Sequence, residues 1–235
     1  MGAIDVLIDV PDFISSRSWL IQLTRIFNRV ESVGVNRTSL GRAPRFEPVR
    51  LGIDLDGVVA NFTQGWMDFY NGQHGTALTF ADSQNWQDLL TLTHFNTMTE
   101  FWKWAARLDG HTVFWHLRPF PDAVESLRAL ADEGHSVVIL TSRPAMGRDD
   151  THDWLKRHRI PAAEVHFLEH KWMVPCQVYL DDAPHLLPDL VRLRDDASVC
   201  RYVRPWNRPV DGAIDIHDWG EFRDLVAGLT VSASR

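Results

Sequence analysis

From Val49 onward, short apolar runs alternate with longer segments whose apolar residues recur every three or four positions. This is the pattern of strands separated by helices in a layered α/β fold. Residues 51–55 predict a buried first strand. Residues 121–131 predict a helix, with Pro121 in its first turn, where a missing N–H costs nothing, Val124, Leu127 and Leu130 along one face, and Gly134 as the stop. The next strand falls at 136–140, residues 154–158 sit on another helix, 165–168, 177–180 and 198–203 read as further strands, and a helix at 218–229 closes the series.

Two regions break this rhythm. Between the first strand and Pro119 lies a long insertion, helical in pattern and rich in rings: Trp66, Phe69, Tyr70, Trp86, Phe101, Trp102, Trp104 and Trp115. Thr97 and Glu100 have the spacing of a capping box, ahead of an apolar face formed by Phe101, Trp104, Ala105 and Leu108. Trp102 lies about 100° off that face. Residues 1–47 also stand apart. An amphipathic stretch at 19–30 is followed by a Gly-, Arg- and Pro-containing link, the pattern of either a docking helix or an accessory extension of uncertain order.

With 235 residues and 45% hydrophobic composition the chain can bury a full core, most simply as one domain carrying an insertion. Its 24 basic against 31 acidic residues contain no long basic run to follow a nucleic-acid backbone, which argues against a large nucleic-acid partner. The only cysteines are Cys176 and Cys200, so no disulfide framework is indicated and a cytoplasmic, reducing setting is expected. The N-terminus has no basic start and carries Asp5 and Asp9, unlike a secretory signal, and no apolar run approaches the roughly 18 residues of a membrane span.

Four short segments carry the candidate chemistry. Asp54-Leu55-Asp56-Gly57-Val58 ends the first strand, where a period of two aims both carboxylates to one side and Gly57 permits a sharp turn. In an open parallel sheet ligands bind beyond the carboxyl ends of the strands. Thr141-Ser142-Arg143 follows the second strand, with a hydroxyl and backbone N–H groups suited to phosphate oxygens. Lys171 offers a cation, and Asp181-Asp182 end another strand with hard oxygen ligands of the kind Mg²⁺ takes. Each alone is an ordinary turn or surface group. His74, His94, His111 and His116 show no metal-ligand spacing, and Arg148 reads as surface charge.

In combination and order, the four segments resemble the signature motifs of the haloacid dehalogenase (HAD) superfamily. The closest resemblance is to the 5′(3′)-deoxyribonucleotidases and their bacterial relatives. It spans about 49–229, through GIDLDGVVANF (52–62), LRPFPDAVESLRAL (117–130), VVILTSRP (137–144), THDWLKRH (151–158), VYLDDAP (178–184) and RPWNRP (204–209). The resemblance implies a Rossmann-like parallel sheet flanked by helices, its catalytic core at 48–61 and 118–230, with residues 62–117 as a small helical cap. It implies Asp54 as nucleophile, Asp56 as general acid and base, and Thr141 and Lys171 holding the phosphoryl group. Mg²⁺ would be held by Asp54, Asp56 through its main-chain carbonyl, and Asp181, with Asp182 in an outer or additional place.

Ser142 and Arg143 are further candidates for binding substrate, and Phe101-Trp102 looks like the family's base-stacking segment. An acid two residues after the nucleophile favours phosphate over dehalogenase chemistry. The expected partner is a small phosphorylated substrate, a nucleoside monophosphate by resemblance, with a homodimer allowed. An unrelated small phosphate ester, or a non-catalytic binding protein on the same fold, are the alternatives.

Overall fold

The computed structural model describes residues 48–232. The extension expected at 1–47, with its amphipathic stretch, lies outside the described residues. Six strands form one all-parallel sheet: β1 (Arg50–Ile53), β2 (Ser136–Thr141), β3 (Glu164–Phe167), β4 (Val178–Asp181), β5 (Ser198–Tyr202) and β6 (Ile214–Ile216), ordered β3-β2-β1-β4-β5-β6. The expected parallel α/β sheet is therefore present. Its central strands are continuous apolar runs because both faces are covered. Leu51, Ile53, Val137, Ile139, Val178 and Leu180 point into one core, while Val138, Leu140, Tyr179 and Val199 point into another. Gly52 sits on the second, crowded face, where a Cβ would come 2.8 Å from Leu140 Cδ1.

Helix α5 (Ala123–Asp132) follows the insertion and leads into β2, α6 (Arg148–Arg157) joins β2 to β3, α7 (Leu187–Leu193) joins β4 to β5, and α8 (Trp219–Ser232) ends the described chain. A single 3₁₀ turn, Lys171–Met173, lies between β3 and β4. The helix expected at 121–131 starts later. Asp122 takes φ +62°, so Pro121 falls outside the helix, whereas Gly134, at φ +97°, follows its end as expected. Strand β6 and helix α7 had no counterpart in the sequence reading. One is a three-residue edge strand, and the other is a two-turn helix.

The insertion between β1 and α5 holds α1 (Phe62–His74), a 3₁₀ turn (Phe80–Asp82), α2 (Asp88–Thr91), α3 (Met98–Ala105) and α4 (Val113–His116). Trp66, Tyr70, Phe95, Phe101 and Phe114 are buried and continuous with the first core of the sheet. Trp66 and Phe95 both meet Phe101 edge-on, at 6.3 and 5.8 Å between centroids. Thr97 caps α3 by accepting the Glu100 N–H at 3.2 Å. The box does not close, because the Glu100 carboxylate accepts from Asn96 N–H instead. Leu108 lies past the helix end, yet is buried. Hydrogen bonds tie the insertion to α6: the Trp154 indole N–H donates to the Leu117 carbonyl at 2.7 Å, the Asp150 carboxylate accepts the Thr112 N–H at 2.6 Å and meets His111 Nδ1 at 2.8 Å, and Arg157 donates to the Trp115 carbonyl.

Candidate active site

The chain runs outward from β1 to β2 and β3, then returns to the other side of β1 for β4. Their register pairs Ile53 with both Ile139 and Leu180. The residues just beyond those pairs, Asp54, Thr141, Asp181 and Asp182, are thereby delivered to one edge of the sheet at its topological switch point. Strand β1 ends at Ile53, so the alternation expected to align Asp54 and Asp56 does not apply. A tight turn does the work instead: the N–H groups of Val59 and Ala60 both donate to the Leu55 carbonyl, at 2.9 and 2.7 Å, and both carboxylate residues line one cavity. Gly57 makes the turn at φ +87°, and a Cβ there would lie 2.0 Å from Asp182 Oδ2.

Four acids converge on few cations. Lys171 Nζ donates to Asp54 Oδ1 and Asp181 Oδ2, each at 2.6 Å, and all three side chains are buried. Burial works against charge on Lys171, but Asp181 and Asp54 outweigh it and hold its pKa above the usual lysine value. Burial, reinforced by Asp181 and Asp56 and only partly offset by Lys171, pushes Asp54 up to about 7. Burial, then the neighbouring Asp54 and Asp181, push Asp182 well above the carboxylate range.

Asp54, Asp181 and Asp182 each offer an oxygen within 4.8 Å of the others. Asp182 Oδ1 is buried and has no hydrogen-bond partner among the described residues. An all-oxygen donor set with excess buried negative charge and an orphaned carboxylate oxygen fits a hard divalent cation such as Mg²⁺. The Asp56 carboxylate is not part of this cluster.

Arg143 grips the Asp56 carboxylate instead, donating from Nε at 2.8 Å and from Nη2 at 2.6 Å. Its Nη1 donates to Thr151 Oγ1, and its guanidinium lies 4.4 Å from the centre of the Phe114 ring. Expected among the substrate-binding groups, Arg143 does line the cavity, but its planar fork is committed to Asp56 in the manner that suits guanidinium to carboxylate. Thr141 and Ser142 also line the cavity, and Ser142 Oγ donates to the Leu168 carbonyl at 3.3 Å.

The cavity, about 350 Å³, has these groups at one end and the insertion at the other. Trp102 is half-buried in its wall, with Phe62 and Phe114 about it at 6.0 and 5.8 Å between centroids. Phe101, the other ring expected at the substrate, is fully buried in the core of the insertion and does not line the cavity. The sequence reading missed Phe62, Phe114, His185, Trp206 and the polar trio Ser83, Asn85 and Gln87, all in the wall. Phe62 and Trp206 had a signal, since they lie within GIDLDGVVANF and RPWNRP.

Comparison with known proteins points the same way. Residues 47–233 match the family model described as 5′ nucleotidase, deoxy (pyrimidine), cytosolic type C protein. A Chlorobaculum tepidum protein provisionally named a 5′(3′)-deoxyribonucleotidase is 24% identical over 189 residues, covering 75% of this chain and 89% of its own. A Bacillus cereus protein provisionally named a nucleotidase is 23% identical over 194 residues, covering 76% and 98%. Among solved structures, a HAD family hydrolase from Deinococcus radiodurans with bound phosphate and sodium superposes with a TM-score of 0.52 at 15% identity, covering 78% of this chain and 97% of its own. The L-2-haloacid dehalogenase of Xanthobacter autotrophicus does so at 0.54 and 12%, covering 78% and 100%. These two likenesses speak for the fold.

Proposed function

Because the chain belongs to the cytosolic type C 5′-nucleotidase family of HAD hydrolases, and is thus a phosphomonoester hydrolase, we propose that it dephosphorylates nucleoside monophosphates, deoxyribonucleotides among them, through an aspartyl phosphate on Asp54. The observation that carries this reading is the composition of a single cavity: Asp54, Asp56, Thr141 and Lys171 share it with the rings of Phe62, Trp102 and Phe114. A phosphate at one end and a flat base at the other suit those walls, and the volume is within the range of small-molecule sites.

An Asp54 carboxylate oxygen attacks phosphorus in line, and the bond from phosphorus to the sugar oxygen breaks. Asp56, entering the step in its protonated form, gives that proton to the departing alkoxide and, now a carboxylate, regains one from the water that cleaves the aspartyl phosphate. Arg143 fixes the plane in which Asp56 works. Lys171 supplies positive charge against the phosphoryl oxygens, and the Thr141 hydroxyl offers them a hydrogen bond. Asp54, Asp181 and Asp182, with the Asp56 carbonyl as the resemblance implies, would hold Mg²⁺, which would supply further charge neutralisation. Trp102 and its neighbours stack on the base without reading its identity closely.

Residues 62–117 serve as the cap that selects the substrate. The cytoplasm suits two buried free thiols, and among the described residues no helix is long and apolar enough to cross a membrane.

The test is phosphate release from a panel of deoxyribo- and ribonucleoside monophosphates and sugar phosphates, with Mg²⁺ and with EDTA. Selective turnover of nucleotides that EDTA abolishes is the expected result. Turnover confined to sugar phosphates sinks the substrate and keeps the chemistry, whereas no turnover at all favours a binding protein.

A further inference from the structure

The segment RPWN, residues 204–207, follows β5 and has no role in the chemistry above. Its side chains nevertheless close around the acid cluster, with Trp206 in the cavity wall. Trp206 Nε1–H donates to Asp182 Oδ2 at 2.8 Å, and Asn207 Nδ2 donates to the Asp182 carbonyl at 2.9 Å. Arg204 Nε donates to the carbonyl of Gly57, the residue whose Cα abuts the same Asp182 oxygen. Asn207 Oδ1 in turn accepts from Arg201 and from the Arg204 N–H, so the segment is itself braced. The outcome for Asp182 is asymmetric. One oxygen is held between Trp206 and Gly57, while the other, Oδ1, is buried with no partner among the described residues.

We infer that Trp206 is a positioning residue for the divalent cation, acting through Asp182: its N–H occupies Oδ2, fixes the carboxylate plane and leaves Oδ1 for the metal. The inference rests on the reading of Asp54, Asp181 and Asp182 as a metal site. Without that N–H the buried Asp182 carboxylate would be free to turn, since Lys171 already serves Asp54 and Asp181. The indole N–H removes that freedom without adding charge. Outer partners that orient a ligand in this way typically contribute about 10–100-fold in metal affinity. The Trp206 ring also meets Phe80 of the insertion, 5.5 Å between centroids, so packing and hydrogen bonding must be separated in the test.

The experiment titrates Mn²⁺, an oxygen-preferring probe, into the metal-free full chain and reads binding by electron paramagnetic resonance and calorimetry. Trp206→Phe keeps an aromatic ring and deletes the N–H. Incorporating 3-benzothienylalanine at position 206 keeps the full bicyclic shape and deletes the same group, which covers the case in which the smaller ring unfolds the protein. Both are expected to weaken Mn²⁺ binding about 10–100-fold, while Phe80→Ala, which alters packing alone, stays within about twofold of the parent.

Parent-like affinity in the benzothienyl protein overturns the inference, as does an equal loss in Phe80→Ala. If the unmodified chain binds no Mn²⁺, the metal site itself falls, and the inference with it. That result is distinct from one in which the parent binds and the N–H proves irrelevant.

Discussion

The two ends of the cavity are built on opposite principles. At the acid end, sheet register and hydrogen bonds of 2.6–2.8 Å hold the four carboxylates: Lys171 on Asp54 and Asp181, Arg143 on Asp56, Trp206 on Asp182. At the aromatic end, Phe62, Trp102 and Phe114 are held by ring packing at about 6 Å. Directional bonds fix atoms to within the tolerance that phosphoryl transfer needs. Ring packing fixes a slot but not an orientation, because dispersion and edge contacts tolerate many arrangements. The acid end is thus set by the sheet and the aromatic end by the insertion, and the two meet where the Arg143 guanidinium lies against Phe114.

Substitutions that separate the two ends sharpen this comparison. The largest effect is expected for Asp54→Asn, which removes the nucleophile while retaining the shape: kcat falls at least about 10³-fold on every substrate, and no acid-stable phosphoenzyme can be trapped. Equal residual turnover would place the nucleophile elsewhere. Arg143→Gln frees Asp56 and lowers kcat by roughly 10²-fold on nucleotides, the lower range for a lost general acid. The loss should be much smaller on p-nitrophenyl phosphate, whose leaving group needs no proton. Uniform loss across both esters would instead assign Arg143 to binding.

Adjacent rings of the insertion give the next contrast. Phe101→Ala opens a cavity in a packed core and lowers stability by about 3–5 kcal/mol in denaturant titrations. Trp102→Ala leaves the midpoint nearly unchanged and raises KM for nucleotides by about tenfold, near the lower range for lost base stacking, without changing KM for sugar phosphates. Reversed outcomes would exchange the roles of the two residues.

A further contrast lies in pH dependence. Asp54 titrates near 3.8 in the unfolded chain and near 7 when folded, so the folded state binds its proton more tightly. Its contribution to stability is fully present below about pH 4 and is lost as the pH rises through about 7. The metal-free protein is therefore expected to show a Tm that drifts down across that window, and Mg²⁺ to raise Tm more at pH 8 than at pH 5, since cation binding requires the carboxylates ionised. A pH-independent Mg²⁺ increment in thermal melts would contradict this.

Much of the acid end was legible in the primary structure because its groups sit at strand ends, and a parallel sheet gathers the strand ends of distant segments at one edge. Asp54, Thr141 and Asp181 needed only correct strand boundaries to be brought together. The partner of Arg143 was not legible. Whether its fork meets substrate or Asp56 depends on a contact spanning 87 positions. Nor was the division between Phe101 and Trp102, since neighbouring helical residues point about 100° apart and only the packing of Trp66 and Phe95 decides which ring is enclosed.

By itself, then, the sequence determined the layered α/β architecture and, through its resemblance to a known family, pointed to phosphate chemistry at a few strand-end groups. Those follow from periodicity and from short motifs whose residues lie within a few positions of one another. Only the tertiary structure decided which oxygen of Asp182 is left without a partner among the described residues, which ring faces the cavity and what braces the acid cluster. Each of those is a contact between segments far apart in the chain, and side-chain direction there is settled by burial and hydrogen-bond satisfaction across the whole fold.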